Sequence, residues 1–198
     1  MHMKKKVIIT NIIFMISIST FLCYGFQPET AEAYNNMGAS YYESGNFDKA
    51  IEFFEKAIKL KPDYIEAYNN MGVAYHMKGN YDKAITCFEK TVKLNPDYAE
   101  AYKSMGLAYS KKANYDKAIE CYQKAIKINS NDSYAYDNLA IAYIEKGIYK
   151  KAIESCEKAI KINPNDAVAY YNMGVAYFCL DNHDKANDCF QKASKIRD

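Results

Sequence analysis
The side chains able to do chemistry are few, and their spacing suits none. Beyond residue 26 the only histidines are His76 and His183, far apart in the chain and without a cysteine or carboxylate at metal-ligand spacing. No glycine-rich phosphate loop and no nucleophile elbow occurs. His183 stands where equivalent positions hold Phe47, Tyr81, Tyr115 and Tyr149, so packing is its expected use. Of the cysteines in the same stretch, Cys87, Cys121 and Cys189 recur at one place of a periodic pattern, Cys156 falls one residue later and Cys179 elsewhere. Equivalent places on stacked helices lie ~8–10 Å apart, whereas a disulfide needs Cα atoms closer than about 7 Å, so neighbours are not expected to bridge. Small half-buried side chains are the default reading, with an intermolecular disulfide or a reactive thiol as alternatives. No catalytic residue, metal site or cofactor is expected.

The elements that would position any site come from the composition. With 198 residues, 49% hydrophobic and 25% charged, the chain has the balance of a folded domain rather than a disordered one. Its 8 Gly and 4 Pro are too few for a β-sandwich, which points to helices. The formal net charge of +2 includes Lys4, Lys5 and Lys6, and no acid precedes residue 26, so the remainder stands at −1. Arg197 is the only arginine. Nucleic acid is therefore not an expected partner, because neither a basic face nor guanidinium forks are available to read it.

The N-terminus differs in kind. His2 to Lys6 is a short positive region, Val7 to Leu22 is apolar, and Cys23 and Gly25 are small residues before Phe26. This is the pattern of a secretory signal peptide spanning residues 1–25. Two rival readings stay open: an uncleaved signal anchor, membrane-bound through residues 7–24, and a lipidated Cys23, disfavoured by the bulk of Leu22. All three carry the rest of the chain out of the cytoplasm, to the periplasm, the cell surface or the medium.

From Pro28 onward the sequence repeats. Pro62, Pro96, Ser130 and Pro164 follow at intervals of 34. Counting units from Ala31, Ile65, Ala99, Ser133 and Ala167, the fourth place is always tyrosine, from Tyr34 to Tyr170. The eighth reads Gly38, Gly72, Gly106, Ala140 and Gly174, the eleventh is again always tyrosine, and the twentieth always alanine. Such a period means a stacked helical array. The pattern resembles the tetratricopeptide repeat (TPR), an aromatic-x2-Leu-Gly-x2-Tyr…Ala-x3-Phe…Pro signature, in five units that cover essentially everything after residue 28. The resemblance implies an all-α fold, a right-handed solenoid of ten helices in antiparallel pairs. The expected organisation is a lead-in at 26–30 and repeats at 31–64, 65–98, 99–132, 133–166 and 167–198.

Each place has a physical reading of its own. The eighth-place glycines and twentieth-place alanines are small so that paired helices can approach, with Tyr34, Met37, Tyr41 and Phe54 filling the space beside them. Gly45, Gly79 and Gly147 suit a left-handed residue after the first helix of a unit, and Asn46, Asn80, Asn114 and Asn182 are N-caps of the second. Asp63 to Glu66 and Asp97 to Glu100 have capping-box spacing. In the last unit the outward pair held by Ile51 and Ile58 in the first becomes Asn187 and Ser194, so the fifth repeat is expected to cap itself.

The family resemblance also implies a groove, lined by the first helices, that holds an extended peptide or a partner's helix. Its sixth places are Asn36, Asn70, Ser104, Asn138 and Asn172. Amides donate and accept at once, so the row could grip a peptide backbone. It resembles the asparagine ladder of the O-GlcNAc transferase superhelix, although asparagine is frequent here in the repeat generally, which leaves a purely compositional reading open. The second places are Glu32, Glu66, Glu100, Tyr134 and Val168, and Lys103 is the only base in the fifth row. A clamp on a free carboxylate is thus unexpected. Ile144, Tyr171 and Phe178 make the last two repeats more apolar. The expected function is a non-catalytic scaffold or adaptor for a protein or peptide ligand with basic residues and an apolar anchor. It would contact membrane only through an uncleaved N-terminus and be monomeric or weakly self-associating. A self-associating envelope subunit and a regulatory partner of a separately encoded enzyme are the alternatives.

Overall fold
The computed structural model describes residues 30–197, so the expectations for residues 1–25, and all but the last residue of the expected lead-in at 26–30, lie outside it. Among the described residues there are ten helices in five pairs: α1 (Ala31–Glu43) with α2 (Phe47–Leu60), α3 (Ile65–Met77) with α4 (Tyr81–Leu94), α5 (Ala99–Lys111) with α6 (Tyr115–Ile128), α7 (Ser133–Glu145) with α8 (Tyr149–Ile162), and α9 (Ala167–Phe178) with α10 (His183–Arg197). The pairs are antiparallel: Lys49 near the start of α2 lies over the ring of Tyr41 near the end of α1, and Lys56, two turns on, lies over Tyr34 near its beginning. They stack as the solenoid that the periodicity predicts. None of the described helices is long and apolar enough to cross a membrane.

Within each pair small meets large. A Cβ on Gly38 would lie 2.6 Å from the ring of Phe54, one on Gly72 2.6 Å from Phe88, one on Gly106 2.6 Å from Tyr122 and one on Gly174 2.6 Å from Phe190. The fourth unit breaks both sides of the rule together, pairing Ala140 with Cys156, each 0% exposed. Between pairs, a second helix packs on the first helix of the next unit, as where Ala50, Ile51 and Phe54 of α2 meet Met71 and Ala74 of α3. Outside this core runs a surface ladder in which Lys78, Lys112 and Lys146 each bind an acid 30 residues earlier, Asp48, Asp82 and Asp116. These exposed pairs add register more than stability. The ladder stops where Lys150 takes the acid's place and Leu180 the lysine's.

The turns follow the predicted chemistry with one correction. Gly45, Gly79 and Gly147 have φ of 77°, 75° and 73°, and Ala113 and Asp181 take the same left-handed conformation in the other two units. Asn46, Asn80, Asn114 and Asn182 cap the second helices by accepting from the backbone N–H three residues on. The capping-box reading of Asp63 and Asp97 does not hold. The residues at the N-cap are Tyr64 and Tyr98, which make no side-chain cap bond, so the two acids stand one residue too early. In later units the last place is itself an acid, and Asp132 and Asp166 accept from Ala135 N at 3.1 Å and Ala169 N at 3.2 Å. His183 is exposed, and its ring lies against Phe178 with centroids 5.2 Å apart, as Phe47 lies against Tyr42 and Tyr81 against His76 in earlier units.

At the C-terminal end, Asn187 and Ser194 are exposed on α10, on the face where earlier second helices receive the next unit. Changing both to isoleucine should restore an apolar docking face on α10 and make the protein self-associate more than wild type in sedimentation velocity. Equal sedimentation of the two would count against the polar cap.

Candidate functional site
The first helices α1, α3, α5, α7 and α9 present a surface that changes character along the stack. Glu32, Glu66 and Glu100 are exposed at the starts of the first three, with Lys61 Nζ 3.8 Å from Glu32. At the far end Tyr134 and Val168 are each 53% exposed and Tyr171 and Phe178 each 56%, while Ile144 is half-buried. Exposed apolar and aromatic side chains of this kind are the usual material of a protein-binding anchor. Lys103 does not serve as a free base. Its ammonium donates to Asp132 Oδ2 and pairs with Glu100 Oε2, both at 2.8 Å, and its side chain is only 14% exposed. Burial alone would lower its pKa, but the hydrogen bonds to Asp132 and Glu100 outweigh this and hold it above the ordinary lysine value. A ligand carboxylate would have to displace two acids to reach it.

The sixth-place residues occupy different environments. Asn36 is exposed and lines a cavity of about 440 Å³ with Met37, Ser40, Tyr41 and Ser44. Asn70 donates to Asn35 Oδ1 at 3.1 Å, and Asn138 donates to the Tyr134 carbonyl at 2.8 Å. Ser104 is half-buried, and Asn172 is 8% exposed with a buried Nδ2 that has no partner. Two of the amides are therefore engaged within the chain.

Sequence reasoning searched the fifth place only for bases. It reads Asn35, Asn69, Lys103, Asp137 and Tyr171, and three of these are buried polar residues: Asn35 and Asn69 at 8% exposure and Asp137 at 5%. The signal was present in the repeat itself. The fifth and last places of a unit read Asn and Tyr twice, then Lys103 with Asp132, then Asp137 with Asp166. Asp137 Oδ1 is buried without a partner. Burial first, then the charge of Asp166 and a hydrogen bond with it, and finally Asp132, push its carboxyl up to about 7. A carboxyl beside a second carboxylate in a dry site behaves this way because both cannot ionise cheaply.

The remaining titratable groups are quieter. Cys87, Cys121, Cys156 and Cys189 are buried and free, and Cys179 is free and exposed. Burial pushes the Cys87 thiol up to about 12 and the Cys121 thiol to about 11, so neither holds much thiolate at neutral pH. His76, near the end of α3, is lowered by burial and then by Lys111, which favours the neutral ring. Among the described residues no three His, Cys, Asp or Glu side chains converge as a metal set.

Known proteins share this arrangement. Family models described as tetratricopeptide repeat match residues 18–63, 29–97, 63–131, 121–154 and 167–198, and one described as TPR repeat matches 142–181. No curated protein matches the chain. Among solved structures, a crystal structure of MamA is 34% identical, with a TM-score of 0.77, over 81% of this chain and 94% of its own. MamA from Desulfovibrio magneticus RS-1, residues 41 to the end, is 24% identical and shares the fold with a TM-score of 0.80, over 85% of this chain and 96% of its own. YrrB, described as a TPR protein with an unusual peptide-binding site, is 26% identical with a TM-score of 0.72, over 82% of this chain and 84% of its own. With family models spanning all five repeats and their packing in place, the chain belongs to the tetratricopeptide repeat family.

Proposed function
We propose that the protein is a non-catalytic adaptor that holds an extended segment or helix of a partner protein along its first helices. Basic residues of the partner would lie against Glu32, Glu66 and Glu100, and an apolar or aromatic anchor against Tyr134, Val168, Tyr171 and Phe178. The observation that carries this reading is the division of one surface into an acidic edge and an exposed apolar end, with its one fifth-row base already bound to acids. Like charges would repel an acidic tail, and an apolar anchor supplies affinity that rim charges do not. The likeness to YrrB, a TPR protein with a peptide-binding site, supports a peptide or protein as ligand. The sequence of residues 1–25 supports a place outside the cytoplasm for this activity, as a signal peptide or an anchor.

The test uses an octapeptide of alternating lysine and tyrosine, blocked at both ends, and its glutamate-tyrosine counterpart. The basic peptide should bind and the acidic one should not. Changing Glu32, Glu66 and Glu100 together to glutamine should weaken the basic peptide about tenfold at low salt, as three rim charges of about 0.5 kcal/mol each would, and high salt should erase the difference. Equal binding of both peptides, insensitive to salt and to the triple change, would overturn the acidic-edge reading.

A further inference from the structure
The pairs Lys103 with Asp132 and Asp137 with Asp166 occupy the same two places of successive units. In the third unit the fifth-place residue brings its own ammonium to the last-place carboxylate, 2.8 Å away. In the fourth the fifth place is a second carboxylate, and among the described residues no ion pair includes Asp137 or Asp166. We propose that this slot, between α7 and the start of α9, binds the ammonium of a partner's lysine in the position that Lys103 Nζ takes one repeat earlier. The proposal rests on the reading of the protein as a peptide adaptor and assigns one point of its recognition.

Three observations carry it. The chain itself shows that an ammonium fits between these two places and is held there at hydrogen-bond distance. Asp137 Oδ1 is buried and no donor of the chain reaches it, so the carboxyl stays uncharged beside Asp166 until a donor from outside arrives. The approach is suited to a lysine: Val168, in the first turn after Asp166, is 53% exposed and stands where Tyr134 covers the Lys103 ammonium one repeat earlier, its ring centroid 5.5 Å from Nζ. Asp166 is half-buried, so an incoming ammonium meets it first and Asp137 behind it.

Binding at this slot moves a proton. Asp137 faces Asp166 at the head of α9 and feels Asp132 at the head of its own helix. Lys103 of α5 is spent on Asp132 and Glu100, the Cys156 thiol of α8 is kept neutral by burial, and Asn172 of α9 is uncharged. Near neutrality and below, the free protein therefore keeps a proton on Asp137. The ammonium's charge favours the ionised form, so Asp137 releases its O–H proton to solvent and keeps the electron pair as carboxylate.

The experiment is calorimetric titration of the full-length protein with the blocked lysine-tyrosine octapeptide and with its Nε-acetylated form, at about pH 6 and about pH 8. With the free carboxyl at about 7 and the bound one below the window, affinity should rise about tenfold between the two, and the heat should depend on the buffer's ionisation enthalpy because a proton is released. The acetylated peptide should show neither effect. Asp137→Lys fills the slot with the protein's own ammonium, as in the third unit, and should abolish the pH dependence and the proton release while the protein stays folded by circular dichroism. No binding of the lysine peptide by wild type, or binding that is pH-independent and unaltered by Asp137→Lys, would overturn the slot. If that same binding is lost in the Glu32/Glu66/Glu100→Gln protein, the adaptor reading survives and the slot alone fails.

Discussion
Cys156→Phe should destabilise the fourth repeat by about 3 kcal/mol or more, and Ala140→Gly introduced beside it should return most of that loss. In the other four units a glycine at the eighth place faces a ring at the twenty-fourth, and any Cβ would lie 2.6 Å from that ring. A phenylalanine placed opposite Ala140 meets a real Cβ in that position, in a core where Ala140 and Cys156 are both 0% exposed and cannot move aside cheaply. Ala140→Gly alone removes a buried methyl from a helix and should cost about 1 kcal/mol in propensity plus a small cavity. The double variant rebuilds the contact that Gly72 makes with Phe88, and the ring's extra buried area adds about 1–2 kcal/mol over cysteine. Urea unfolding of the four proteins in a double-mutant cycle reads the coupling. A coupling of several kcal/mol, with the double variant near or above wild type, is the expected result. Additive effects would show that the two places do not share one space.

That pair marks how far the sequence could be read. The 34-residue period, the glycines at left-handed turns and the asparagine caps appear in the letters because each rests on one residue's own backbone preference or side-chain reach. Ala140 and Cys156 are each visible as a departure from the pattern, but only the ring position shows that one departure permits the other. The misplaced capping boxes have a similar cause. Asp63 and Asp97 carry the right chemistry, yet the helix begins one residue later than the spacing suggested, after Tyr64 and Tyr98. The candidate site was legible in its exposed half, where Glu32, Glu66, Glu100, Tyr134, Val168, Tyr171 and Phe178 are open to solvent on the first helices. Its buried half was not. Whether Asn70 faces a ligand or the Asn35 side chain depends on how successive first helices stack, and that distance is a property of the assembled solenoid.

The same buried half makes the protein's stability depend on pH, and Asp137→Asn should reveal it. In the folded protein this carboxyl titrates at about 7, raised by burial and by Asp166, against 3.8 for an unperturbed aspartate. Between those values the folded state holds a proton that the unfolded chain has lost, so stability falls as pH rises through the window and the deficit is complete above it. The full shift of about three units corresponds to roughly 4 kcal/mol, and about half of that is expected once solvent at the half-buried Asp166 screens the pair. Asn35 and Asn69 show that an amide is accommodated at this place, and an amide can donate to Asp166 where a carboxylate can only repel it. Asp137→Asn should therefore gain about 2 kcal/mol at about pH 8, a rise in Tm of roughly 4–8 °C, and almost nothing at about pH 4. Thermal melts of both proteins across this range decide it. A gain that is the same at both ends would mean that Asp137 is ionised throughout, and that packing rather than proton uptake sets its cost.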